Sequence, residues 1–201
     1  MMVLESHQTQ LLTIFEQGAA KSAQRLTAIS GMPWNIHIIS VDVGSGERFR
    51  SILARDIQEH VGVYFATPGE RYLVLFSEES GQALLKASAP LCTERREMLP
   101  GMKQATLSEI TNIFINGLSS DLADRQGMVR IVSAPTTLRS RKADIYDKAF
   151  GDLPPIDQTM VNALIHISSP ELAADCTVML RFDSLSANFL LNPDPDTPPS
   201  M

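Results

Sequence analysis

At 201 residues, 44% of them hydrophobic, the chain is long enough to bury a substantial core, as one large domain or as two small halves. A formal charge of -6, from 17 Lys plus Arg against 23 Asp plus Glu, argues against a broad nucleic-acid surface but allows a local basic patch. Two cysteines, Cys92 and Cys176, make no disulfide framework and fit a reducing cytoplasm, and no basic leader or run approaching ~18 apolar residues predicts export or membrane spanning.

From the N-terminus, the spacing of Leu11, Phe15, Ser22, Leu26 and Ile29 predicts one amphipathic helix over Leu11 to Gly31, with Gly31 as its stop. Its Gly18, Ala19, Ala20 and Ala23 are small enough to let another backbone approach. Trp34 to Val43 is β-branched and alternates as a strand does. A short polar connecting piece holds Phe49, Ile52 and Leu53. Then "HVGVYFA" and "RYLVLF" read as a hairpin around "TPGE", where Pro68 and Gly69 favour a turn. "SEESGQALLKAS" reads as a helix capped near Ser77 to Glu79.

Pro90 and "MLPGMKQATLS" interrupt the chain near its middle. Helix returns from about Thr106 to Arg125, with Leu107, Ile110, Phe114, Leu118 and Leu122 as its apolar stripe and Gly127 as its stop. "MVRIVSA" reads as a strand and "LRSRKADIYDKAF" as a weaker helical piece that begins with a basic patch, Leu138 to Lys142. That patch reads either as a solvated face or as a docking surface for an acidic partner. "MVNALIHIS", "CTVMLRF" and "ANFLLN" read as strands, and "PDPDTPPSM" is a Pro-rich tail.

Both halves, about 8–90 and 104–191, run long helix, strand, connecting piece, then at least two strands. An offset of 96 residues lays Leu107 over Leu11 and Gly127 over Gly31. The expected fold is therefore α+β, a pseudo-twofold repeat within one domain spanning 1–191. Its strands should form one mainly antiparallel sheet with both long helices packed on one face, and its halves should fold as one unit.

The second long helix carries a polar face. With Leu107 at zero on a helical wheel, Glu109, Asn112, Asn116 and Ser119 fall at about 200, 140, 180 and 120 degrees, away from the apolar stripe. A Glu and an Asn three residues apart meet on one surface, where the carboxylate accepts from a cation and the amide holds a water. Outward polar residues also need no function. Asn116 followed by Gly117 in mid-helix, both poor helix formers, marks either close packing or a site.

These residues resemble the signature of the CheC/CheX/FliY family of bacterial chemotaxis phosphatases, which remove the phosphoryl group from the aspartyl phosphate of the response regulator CheY. That signature is an Asp or Ser, three residues, Glu, two residues, Asn, and a Pro after 22 more. Here "ATLSEITN" supplies Glu109 and Asn112, and Pro135 follows Asn112 after 22 residues. Ala105 stands where the Asp or Ser is expected, and "IFINGL" is bulkier than the small-residue run the family often has.

The resemblance implies that Glu109 pairs with the partner's active-site Lys and that Asn112 orients the attacking water. Pro135 would shape the loop beside the helix, and Asn116 would serve partner binding or site shape. Mg2+ would belong to the CheY-like receiver, with no metal or other cofactor held by this chain. Thr13 and Glu16 occupy the matching first-half positions, so one active surface is expected. Rival readings are a non-catalytic module of the chemotaxis or flagellar-switch system, also open to a CheD-like deamidase, and a homodimerisation domain. His7, His37, His60 and His166 read as too scattered for a metal site, and "VGSGERF" as a turn rather than a phosphate loop.

Overall fold

The computed structural model describes residues 2–44, 46–67, 69–88, 101–126, 132–151 and 160–191. Expectations about Pro68, Pro90, Cys92, the Gly127 stop, the strand from Met128 to Ile131 and the Pro-rich tail fall outside these residues. So do those on the side chains of His7 and Ile29.

Helix α1 spans Met2–Ser30 and ends where Gly31 takes φ 69 and donates its N–H to Thr27 O at 2.9 Å. Strand β1 (Asn35–Val43) follows, then the short α2 (Glu47–Leu53), where the sequence had suggested only a polar connection. Strands β2 (Glu59–Thr67) and β3 (Glu70–Phe76) form the expected hairpin, with Thr67 opposite Glu70 and Gly69 at φ 81. Helix α3 (Glu78–Ser88) is capped by Ser77, whose Oγ accepts the Ser80 N–H at 3.0 Å.

The second half opens with α4 (Met102–Gln126), then β4 (Thr136–Arg141) and α5 (Lys142–Phe150). Three expectations are corrected here. The basic "LRSR" stretch is strand, not helix, because it pairs along β2 from Glu59↔Arg141 to Tyr64↔Thr136, a long-range ladder that local pattern does not reveal. Residues 132–134, assigned to a strand in the sequence, lead into β4 without belonging to it. Strands β5 (Val161–Ser169) and β6 (Ala174–Phe182) are joined by a 3-10 turn at Pro170–Leu172. Ala187 to Leu191 of the predicted strand "ANFLLN" lie instead in helix α6 (Ser184–Leu191), because Asp183 caps it by accepting the Ser186 N–H at 2.8 Å.

The strands make one six-stranded sheet in the order β1-β5-β6-β3-β2-β4, antiparallel at every pairing. Exchanging β1 with β4, β5 with β2 and β6 with β3 reverses the order onto itself, so a pseudo-twofold axis runs between β3 and β6. On one face lie α1 and α4, with Leu84 of α3 and Ala187 and Leu190 of α6 joining their core. Phe15 of α1 stacks on Phe182 of β6 at 5.8 Å between ring centroids, and Tyr72 meets the same ring edge-on.

The opposite face is also covered at its centre. Leu73, Leu75, Leu164 and Met179 point that way and are buried by Phe49 and Leu53 of α2 and Ile145, Tyr146, Ala149 and Phe150 of α5. Central strands covered on both sides read as continuous apolar runs, as "YLVLF" does. Gly62 in β2 exists for this layer: a Cβ there would collide with Ile145 of α5.

Candidate functional site on the outward face of α4

Helix α4 is enclosed through a wide arc, because the sheet and α3 close on one side of it and α1 on another. The α1–α4 crossing is tight. Added Cβ atoms would lie 2.7 Å from Leu118 Cδ1 at Gly18, and 2.6 Å from Ser22 Oγ and 2.9 Å from Ser22 Cα at Gly117. The Ser22 hydroxyl is shared between Phe114 O at 2.9 Å and Gly18 O at 3.0 Å, and Lys21 pairs with the buried Asp121.

This crossing sets the true correspondence of the halves. Gly18 meets Asp121 and Gly117 meets Ser22, so Gly18 matches Gly117 and Ser22 matches Asp121, 99 residues apart in each case. The 96-residue offset suggested by the apolar stripe is corrected by three residues. Gln10, Thr13 and Gln17, rather than Thr13 and Glu16, stand where α4 carries Glu109, Asn112 and Asn116. Thr13 donates its hydroxyl to Thr9 O at 3.1 Å, and neither register places a Glu and Asn pair on α1.

What α4 leaves open is the arc centred on Glu109 and Asn116, both exposed, with Asn112 half-buried beside them. Asn116 donates its Nδ2 to Asn112 Oδ1 at 3.0 Å, a link between successive turns that the i,i+4 spacing offered and sequence reading passed over. With its oxygen engaged, the Asn112 amide keeps both N–H hydrogens for a water or a partner. Ser119, expected on this face, is buried at 3% exposure, because the flanking elements cover α4 well beyond its apolar stripe.

Ala105 is exposed on the same side and offers no polar atom where the signature asks for one. Pro135 is exposed in the segment before β4, which is held at both ends. Ser133 exchanges hydrogen bonds with Ala66 at 2.9 Å in each direction, and Thr137 Oγ1 lies 3.1 Å from Ser108 Oγ, next to Glu109. The Ser108–Thr137 contact, which no sequence signal announced, ties the Pro135 segment to α4.

The basic patch is largely neutralised within the chain. Arg139 pairs with Glu59 at 3.1 Å and Glu78 at 3.8 Å, and Lys142 with Asp56 at 2.8 Å. That hydrogen bond from the Lys142 ammonium holds the Asp56 carboxyl below the usual carboxylate range, aided by the Gln58 N–H and opposed by partial burial. Burial pushes the Cys176 thiol far up, which leaves it an inert core residue.

The histidines are less scattered than their sequence positions imply, since His37 and His166 are direct cross-strand partners. Among the described residues no group of three or more His, Cys, Asp and Glu is placed to hold a metal ion. No described helix is long and apolar enough to cross a membrane.

No protein-family model matches the chain, and no curated protein matches it. Solved structures do. Thermotoga maritima FliY aligns with a TM-score of 0.71 at 12% identity, covering 96% of this chain and 97% of that one. A chain of the H. pylori FliM-SpeE complex gives 0.59 at 12% identity, with 94% of each chain covered. The H. pylori FliG-FliM complex gives 0.58 at 11% identity, covering 93% of this chain and 98% of that one. The likeness is one of fold, held along nearly the full length of both partners in each comparison.

Proposed function

We propose that the chain is a partner-docking module of a bacterial chemotaxis or flagellar-switch assembly, working in the cytoplasm, with the outward face of α4 as its docking surface. The observation that carries this is the fold, which is shared over more than nine-tenths of the chain with FliY and with chains of the FliM-SpeE and FliG-FliM complexes. A fold alone sets a class of role and not a reaction.

A second reading, hydrolysis of the aspartyl phosphate of a CheY-like receiver, is favoured by one feature. Glu109 and Asn112 stand one turn apart on the open arc of α4, and Asn116 holds the Asn112 amide. In that reading Glu109 takes a charge-assisted hydrogen bond from the receiver's Lys. Asn112 donates an N–H to a water, which attacks phosphorus as the bond to the aspartyl oxygen breaks, giving inorganic phosphate and a free carboxylate. The contribution of this chain is positioning, and Mg2+ is supplied by the receiver.

One experiment separates the readings. A phosphorylated CheY-like receiver is mixed with the chain, and binding and phosphate release are followed together. Binding without faster release supports the docking module; faster release that Asn112→Ala removes supports the phosphatase. Absence of binding overturns the phosphatase reading and docking to a receiver, and leaves the flagellar-switch proteins as the partners to test.

A further inference from the structure

We propose that His37 and His166 form a two-imidazole site for a divalent cation of the Zn2+ class, on the sheet face opposite α1 and α4. The two residues are opposed in the β1–β5 ladder, and directly opposed residues of antiparallel strands project to the same side with Cβ atoms about 4.5–5.5 Å apart. That side is not the core: Ile36 and Ile38 of β1, and Ile165 and Ile167 of β5, belong to the cluster under α1 and α4, so the residues between them face the other way.

The layer formed by α2 and α5 covers Leu164 and Met179 but takes no residue from β1. His37 is accordingly exposed and His166 half-buried, so both rings can reach one ion from solvent. Imidazole nitrogens suit borderline cations such as Zn2+, Ni2+ and Cu2+ and bind Zn2+ at about 2.0–2.1 Å. Water completes the coordination. Around the pair, Asn35 faces Ser168 on the next rung of this side and Thr177 faces His166 from β6, so these rungs bring no competing cation.

The fold does not require histidines here. The pseudo-twofold axis relates this rung to the pair Tyr64 and Thr136 of β2 and β4, with the same burial, half-buried on the inner strand and exposed on the edge strand. One half of the molecule thus builds with Tyr and Thr what the other builds with two chelating rings. A bound ion would staple the edge strand β1 to its neighbour.

The test uses zinc chloride with the full chain. Calorimetry should give one ion per chain, the melting temperature should rise with Zn2+, and both effects should vanish in His37→Thr and in His166→Tyr, each carrying the residue found at the related rung. In chelator His37→Thr should melt as the parent does, since its side chain is exposed, which separates loss of a ligand from loss of fold. Histidine-ring NMR should show two perturbed rings, those of His37 and His166. Saturable binding that survives in both variants, perturbation of His60 or His7 instead, or no saturable binding by the parent would each overturn the proposal.

Discussion

Asn112 is a half-buried amide with its oxygen committed to Asn116, and this shapes what its substitution will do. Asn112→Ala removes no core contact, so stability should stay within about 0.5 kcal/mol of the parent by denaturant melting. If the chain is a phosphatase, release from a phosphorylated receiver should drop to the receiver's own rate. Asn116→Ala should lower release by a smaller factor, because an exposed i,i+4 amide pair contributes only about 0.2–0.5 kcal/mol. Asp56 makes a prediction in pH. Its carboxyl is held low by Lys142, so its contribution to stability is complete above the ordinary Asp value of about 3.9 and is lost as pH falls through the lower folded value. With a third of the side chain exposed, that contribution is about 0.2–1 kcal/mol, and Asp56→Asn should show a flatter decline in melting temperature below about pH 4.

At the scale of elements, the crossing of α1 and α4 makes the two related glycines unequal. Ala in place of Gly gains up to about 1 kcal/mol of helix propensity wherever space allows. At Gly117 the new methyl meets the Ser22 backbone at 2.9 Å, which cannot yield without parting the helices, and a net loss of about 1–3 kcal/mol is expected. At Gly18 the nearest atom is the end of the Leu118 side chain, which can rotate, so Gly18→Ala should cost less. Chemical denaturation of the two variants measures the difference; equal losses would mean that the crossing is looser than its geometry indicates. Helix α6 carries the same lesson about local and long-range causes: "ANFLLN" has the letters of a strand, yet Asp183 starts a helix, and its own N–H is fixed to Gly69 O at 2.8 Å in the turn of the neighbouring β2–β3 hairpin.

For the whole molecule, the strand order shows that the halves are interlaced. β1 pairs with β5 of the second half, β4 pairs with β2 of the first, and the β3–β6 seam joins the two at the centre. Cut from the rest, residues 1–100 would hold β1 with no partner and α1 with its α4-facing side in water. Circular dichroism of that fragment should show no cooperative melting, and mixing it with residues 101–201 should restore the transition. A fragment that melts cooperatively alone would refute this account of the interlaced sheet.

The sequence by itself determined the elements that one segment can signal alone: both long helices, the β2–β3 hairpin, β5 and β6, and the outward aim of Glu109, Asn112 and Asn116. Those follow from local letters, because an i, i+3, i+4 stripe, a turn pair or a run of β-branched apolar residues acts within one segment without reference to the rest of the chain. Tertiary structure alone decided what depends on contact between distant segments. Ladder partners made the basic "LRSR" a strand, and the α1–α4 crossing set the offset of the halves at 99. Flanking elements buried Ser119, and pairing of β1 with β5 brought two histidines face to face, since register across a sheet is fixed by partners that no local pattern names.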